Sequence, residues 1–519
     1  MREEARGLSA ANDGHNIAKP VASLRSQAFW LLAARVTGFA ISTLLPLFLV
    51  RLLDRVSYGE YRQVSQFMMT VCGTMNMGMH MSAFYYLARE PQRARQVVFN
   101  ISVWHAAMGA VVMVILAAYP QVLNRLMGST QLERYAPAVG VVLFLMMASF
   151  MLESIATANQ EVTLSTAFII FANLTKAAGL IVFVWISPTI AAVLTALGIQ
   201  SVVQSALLLW YLESRFPGYW RAFDMSFLRE HLAYAIPLGL TGLQTTMQRE
   251  IHHFFVSSRF GSAAYAVYAI GCFQLPLVAM VRDSIASVTI PRISELQKRG
   301  SHAEVIRLTA SGTRQVGLAT WPAIFFLAAF APEFITALFT AQYIDAVPIL
   351  RWNLLLLASV IPMTDPIFRA YAEHRYFIIT ARIPLLVLML AGLYWGMEVA
   401  GMIGAVIIVV VTAVLERAIL CWKAVRILGI NASHWPLFRS SISCGFIALA
   451  AVVPVYLLRI AMGKSLSVWL VLCLCAGAYG LVYLALLITL GMLQPDERQM
   501  LHSVMGKITT KLGFADTKK

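Results

Sequence analysis

Long apolar runs alternate with short polar segments along nearly the whole chain. The runs are continuous and do not switch between apolar and polar at every second residue. That pattern predicts membrane-spanning helices and argues against a β-barrel. About fourteen spans of roughly 20 residues can be drawn. They lie near 27–50, 61–88, 98–119, 137–158, 164–186, 188–212, 231–257, 263–290, 315–338, 347–368, 376–397, 400–422, 440–459 and 467–492. Most connections are short, the longest being near 213–230, 291–314 and 423–439. The expectation is an all-α polytopic membrane protein. A polar tail covers 1–26, and a second tail covers 493–519. In the second, Leu501, Val504, Met505, Ile508 and Leu512 share one helical face, as an interfacial amphipathic helix would need.

Composition strengthens this reading. Of 519 residues, 59% are hydrophobic and 13% charged, and the mean hydropathy is +0.72. A soluble globular enzyme, a disordered chain and a disulfide scaffold are all excluded by that balance. The six cysteines fall inside apolar runs without metal-ligand spacing, as small buried hydrophobes do. The first run is too long for a signal-peptide core. The net charge of +15 gathers in short loops, so it reports topology and does not point to nucleic acid. With the N-terminus inside, most Lys and Arg fall on the inner connections, which predicts both termini inside and an even number of spans. In that scheme Arg62 belongs to an outer connection, and Arg314 and Arg417 to inner ones.

A weak internal repeat is present. Leu49 to Tyr61 aligns with Val256 to Tyr268, pairing Tyr58 with Tyr265 and Tyr61 with Tyr268. Six spans separate the copies, so the repeat is parallel and not inverted. Arg51-Leu52-Leu53-Asp54 followed by Tyr58-Gly59-Glu60-Tyr61 resembles the turn after the first helix in the oligosaccharide flippases of the multidrug/oligosaccharidyl-lipid/polysaccharide exporter superfamily. That family usually has Gly where Asp54 stands here. Tyr234-Ala235-Ile236-Pro237, Phe254 to Gly261 and Ala346 to Arg351 resemble its later helix starts.

The resemblance implies two pseudo-symmetric six-helix lobes, at 27–212 and 231–422, a linker at 213–230, and two further helices within 440–492. It implies movement of a lipid-linked oligosaccharide across a bacterial inner membrane, with membrane lipids as surroundings. A polysaccharide polymerase and chain-length or export proteins would be partners in the same pathway.

Charges inside the spans carry the candidate chemistry. Arg35, Glu153, Lys176, Arg249, Glu250, Arg282, Asp283 and Asp365 all fall within apolar runs. Each costs about 2.5–3.5 kcal/mol at a bilayer centre, so they must face one another or a watery cavity. Pairs such as Arg282 with Glu250, or Lys176 with Glu153, are one reading. Neighbours such as Arg282 and Asp283 point about 100° apart on a helix and are not expected to pair. The other reading is a cavity where Arg35, Lys176, Arg249 and Arg282 converge. Guanidinium forks and an ammonium suit a pyrophosphate. Glu153, Glu250, Asp283 and Asp365 are then candidates for H⁺ or Na⁺ coupling, Asp365 because Pro362 and Pro366 should distort its helix. His252 and His253 are adjacent, not i,i+4, which favours a cavity-lining or interfacial role over a metal site.

No phosphate loop and no GxSxG elbow occur, and no large outer loop carries paired acids. The sequence therefore predicts a transporter without a cofactor, not an enzyme. The action that the resemblance implies is alternating-access flipping of undecaprenyl-pyrophosphate-linked oligosaccharide for surface polysaccharide. A cation antiporter or a peptidoglycan-precursor flippase of the same fold is the alternative, and a membrane enzyme of the pathway ranks below both.

Overall fold

The computed structural model describes residues 37–38, 40–41, 43–273, 275–374, 376–462, 466–493 and 497. Every regular element among them is helical. The first half comprises α1 (Thr43–Leu52), α2 (Arg55–Met75), α3 (Met79–Arg89), α4 (Ala94–Ala118), α5 (Gln121–Met127), α6 (Thr130–Arg134), α7 (Ala136–Ser149), α8 (Leu152–Ala158), α9 (Val162–Ile186) and α10 (Ile190–Arg215). The second half begins with α11 (Met225–Gly271), α12 (Pro276–Lys298), α13 (His302–Ala329) and α14 (Ala331–Phe339). It continues with α15 (Val347–Asn353), α16 (Leu355–Val360), α17 (Asp365–Ala370) and α18 (Phe377–Leu428), and α19 (Trp435–Ala461) and α20 (Val468–Thr489) follow.

Two of these elements are pairs of limbs. In α11 the break is Gly261, at φ 76° and ψ −179°. His252 Nδ1 lies 2.7 Å from the Tyr268 hydroxyl. Those residues would be about 24 Å apart on a straight helix, so the limbs fold back on each other. In α18 the break is Gly401, at φ 58° and ψ −138°. A Cβ on Gly404 would sit 1.8 Å from the Gly396 carbonyl oxygen, so there too the limbs fold back and touch.

Eight helices among the described residues are long and apolar enough to cross a membrane. There are nine if α13 and α14, bent by 83°, make one broken span. This is fewer than the expected fourteen. One reason is that α18 counts once although it holds two limbs. Another is that α2, α11 and α12 carry charged and polar residues that dilute their hydropathy, and a third is that half of the first expected span lies outside the described residues.

Several expected spans are interrupted. The run at 61–88 breaks at Asn76–Gly78, where Met77 (φ 45°) and Gly78 (φ 75°) leave the helical region. At this break α11 packs closely against the chain, so that a Cβ on Gly239 would meet the Met77 backbone at 2.3 Å. The run at 347–368 breaks between Val360 and Asp365, where Pro362 lies, and Pro366 stands in the first turn of the helix that follows.

Two expected long loops shrink, because helices run past the apolar windows. Only Arg299 to Ser301 separates α12 from α13, and α18 runs on to Leu428. These extended ends pack through Ile293, Leu296, Val305, Ile306, Ala424 and Leu428. Arg314 and Arg417 therefore lie on helices and not in loops. The first tail, half of the first span, and the amphipathic pattern after Gln494 lie outside the described residues.

Candidate functional site

The turn between α1 and α2 sets the site. Asp54 sits at φ −68° and ψ 170°, and its carboxylate accepts from the Val56 and Ser57 amides at 2.9 and 3.5 Å. This is an N-cap, satisfying donors that a helix start leaves open. The extended conformation does not require glycine, so Asp replaces the family's usual residue without strain. The cap starts α2 at Arg55, earlier than the apolar pattern does. Arg62 consequently lies two turns inside a helix.

On α2, Tyr58, Arg62, Gln66 and Thr70 recur every fourth residue and share a face. On α11, Thr246, Glu250 and His253, spaced by four and three, likewise share a face. The two faces, with Thr43 and Pro46 of α1, enclose a cavity of about 480 Å³ between the halves of the chain. Arg62 Nε is buried there with no hydrogen-bond partner. Gln66 Nε2 donates to Glu250 Oε2 at 2.7 Å and to Thr70 Oγ1 at 3.2 Å. His253 also lines the cavity, with its Nδ1 3.3 Å from the Tyr265 hydroxyl. Arg62 and Glu250 thus share one cavity without an ion pair between them. The cavity presents one cationic fork with a nitrogen to spare, one carboxylate, and neutral donors and acceptors.

One end of the cavity is closed by a seam. Gln63 Nε2 donates to the Met127 carbonyl at 2.7 Å and to Ser257 Oγ at 2.8 Å, and Ser262 Oγ donates to Gln63 Oε1 at 2.9 Å. A Cβ on Gly59 would lie 1.9 Å from the Ser262 carbonyl oxygen, so the backbones touch. The two copies of the repeat therefore pack on each other here, with Tyr58, Tyr61, Tyr265 and Tyr268 all buried. Arg51 reaches the Ala337 carbonyl at 2.8 Å. Arg55 reaches the Ala263 carbonyl and Asp345 Oδ2, both at 3.3 Å. At the other end the halves meet again, where Tyr85 stacks on Tyr234 at 4.6 Å and Ser82 hydrogen-bonds His231.

Of the residues singled out from sequence, Glu250 lines this cavity. Arg249 beside it is exposed, one helical step of about 100° away. Lys176 is half-buried on α9 and makes no ion pair or hydrogen bond among the described residues. Glu153 is exposed in the first turn of α8, and neither it nor Lys176 pairs with the other. Arg282 does pair with Asp283, its Nη2 lying 2.8 Å from Oδ1, against the expectation from helical geometry. A long arginine wraps around the helix to reach an exposed neighbour, a freedom that Cα direction alone conceals. Asp365 Oδ1 lies 3.7 Å from Arg417 Nη1 on α18. Arg35 lies outside the described residues. Lys176, Arg249 and Arg282 are thus not among the residues that line this cavity.

Sequence reasoning missed Arg62. The signal that finds it is the Asp54 cap, which adds two turns to the helix before the apolar window opens. It also missed Arg382 and Glu416 on α18, which pair at 2.8 Å between the two limbs. Among the described residues no group of three His, Cys, Asp or Glu could hold a metal ion.

A helical bundle of broken spans around a polar cavity between two halves is the architecture of a membrane transporter. Solved structures agree on the fold. The chain superposes on the lipid II flippase MurJ in an inward closed conformation, with TM-score 0.69 and 14% identity, covering 89% of this chain and 98% of that one. An inward-facing multidrug resistance MATE family transporter of the MOP superfamily gives TM-score 0.56 and 14% identity, covering 78% and 98%. A MOP superfamily transporter from Pyrococcus furiosus gives 0.53 and 15%, covering 78% and 96%. No curated protein matches by sequence. The sequence pattern of the polysaccharide biosynthesis protein family matches residues 48–348. The chain belongs to that family, and its fold is that of the MOP-superfamily flippases and transporters.

Proposed function

We propose that the protein flips undecaprenyl-pyrophosphate-linked oligosaccharide across the bacterial inner membrane for surface polysaccharide synthesis. The observation that carries this reading is Arg62, a guanidinium with a buried, unpartnered nitrogen in a cavity between the two halves. A buried donor without an acceptor is destabilising, and a bound phosphate supplies the missing acceptor with charge. The family's link to polysaccharide synthesis fits the same cargo.

In this mechanism the headgroup enters from the inner leaflet and is drawn in by Arg249 and Arg282, with Arg35 and Lys176 as further contacts. Its pyrophosphate engages Arg62. The halves then rock about the α2–α11 contact. The seam at Gln63 and Gly59 parts, and the lipid tail stays in the bilayer. Glu250 is the acid best placed to couple H⁺ or Na⁺ to this cycle, since it lines the same cavity. Both termini lie on the cytoplasmic side, and a polymerase and chain-length proteins act on the delivered cargo.

The fold shared with the lipid II flippase supports a second reading, a peptidoglycan-precursor cargo bound through the same pyrophosphate. Transport by purified protein in proteoliposomes separates the two. The expected result is movement of lipid-pyrophosphate-linked oligosaccharide in preference to a pentapeptide-bearing precursor. The opposite preference moves the protein to the second reading. Movement of small organic cations, and of neither lipid, makes it an antiporter.

A further inference from the structure

A second cavity, also of about 480 Å³, lies between α11 and the first limb of α18. Its chemistry differs from that of the first. Arg382 borders it, but its charge is already answered: Nε lies 2.8 Å from Glu416 Oε1, and Nη1 donates to Thr245 Oγ1 at 3.2 Å. The other Glu416 oxygen accepts from Gln248 Nε2 at 2.5 Å. The other polar side chains of its lining are neutral: Thr241, Gln244, Thr245 and Thr246. Gln244 Nε2 donates to the Ile379 carbonyl at 3.2 Å, which leaves its own carbonyl oxygen as an acceptor. Neutral hydroxyl and amide groups match a hydroxyl-rich ligand, whereas a phosphate would find no uncompensated positive charge here.

Thr246 lines both cavities. A ligand that places its anionic group at Arg62 therefore reaches the second cavity within one to two helical turns, about 5–11 Å. We infer that the second cavity is the saccharide subsite, taking the sugar joined to the pyrophosphate that Arg62 holds. Gln244 and Thr241 then select for the sugar and Arg62 for the phosphate. This inference rests on the function proposed above.

The test uses full-length protein in proteoliposomes with two probes. One is a lipid pyrophosphate carrying a tetrasaccharide, and the other is the same lipid pyrophosphate without sugar. The quantity read is the ratio of their fluxes within one preparation, so a partly misfolded fraction cancels. Gln244→Leu and Thr241→Val are expected to lower that ratio about tenfold, the size of one lost buried hydrogen bond. Gln244→Asn, which keeps the amide, should restore part of it. Arg62→Ala should lower both fluxes and leave the ratio near the wild-type value. An unchanged ratio in Gln244→Leu and Thr241→Val overturns the saccharide subsite, whether both fluxes fall together or neither moves. Wild-type protein that moves neither probe overturns the proposed function itself.

Discussion

Arg62 holds a guanidinium nitrogen in a buried place with nothing to donate to. Such a group costs on the order of 1–3 kcal/mol unless something fills the gap. Arg62→Ala should therefore leave the fold intact or slightly stabilise it, while transport falls by at least tenfold. A thermal melt and a flux assay on the same preparation separate the two effects. Glu250→Gln keeps a hydrogen-bond acceptor for Gln66 and removes the charge. It should abolish the dependence of transport on an imposed H⁺ or Na⁺ gradient while preserving the melting temperature. Glu250 was legible in the sequence as a charge in an apolar run. Arg62 was not, because the apolar window opens near Tyr61 and leaves it at the edge, where it passes for a topology signal. The reach of Arg282 to its own neighbour was equally hidden, since helical spacing fixes where Cβ points and not where a long side chain ends.

At the scale of elements, one cap and two glycines decide how α2 lies against α11. Asp54 stops the backbone amides of the first turn from going unsatisfied. Asp54→Ala should destabilise by about 1 kcal/mol, measured as a shift in the melting temperature of the purified protein. Gly59 and Gly239 let backbones touch, Gly59 against Ser262 and Gly239 against Met77. Gly59→Ala places a Cβ where a carbonyl oxygen stands, so the seam must part. The expected cost is about 1–3 kcal/mol. A readout is the labelling of a cysteine placed beside Gln63, which should rise as the seam opens. The alternation of apolar and polar segments marked where most helices lie. It also separated the limbs of α11 and α18, whose breaks at Gly261 and Gly401 fall in or beside the expected connections at 258–262 and 398–399. It did not mark the break at Asn76–Gly78, inside an unbroken apolar run. The prolines at 362 and 366 were the exception, since proline disrupts a helix from within. Loop lengths were overestimated at 291–314 for a related reason: helix ends there bury a small apolar cluster beyond the expected spans.

For the whole molecule, the segment Arg51 to Arg55 ties the two halves of the chain together. Arg55 meets Asp345, and Arg51 meets the Ala337 carbonyl, both in the other half of the chain. The Arg55–Asp345 pair is well exposed, so its contribution to stability is at most about 1 kcal/mol. Two conformations that differ by a few kcal/mol still respond to a change of that size. Asp345→Ala should leave the melting temperature nearly unchanged. It should shift the population about fivefold toward the state open at that end, as read from distances between spin labels on the two halves. The parallel repeat was visible in sequence only as four aligned tyrosines and similar surroundings. Its meaning, that the two copies pack face to face and close the cavity, required the fold.

The most direct test of the account is translocation by Arg62 variants. Wild-type protein, Arg62→Lys and Arg62→Ala would be reconstituted at equal density, and flux of lipid-pyrophosphate-linked oligosaccharide measured between leaflets. The account predicts full transport by the wild type, partial transport by Arg62→Lys, which keeps the charge but loses the fork, and transport reduced at least tenfold in Arg62→Ala. Wild-type flux in Arg62→Ala would contradict it, because the cavity would then hold its cargo without the guanidinium whose buried nitrogen the structure leaves unpartnered.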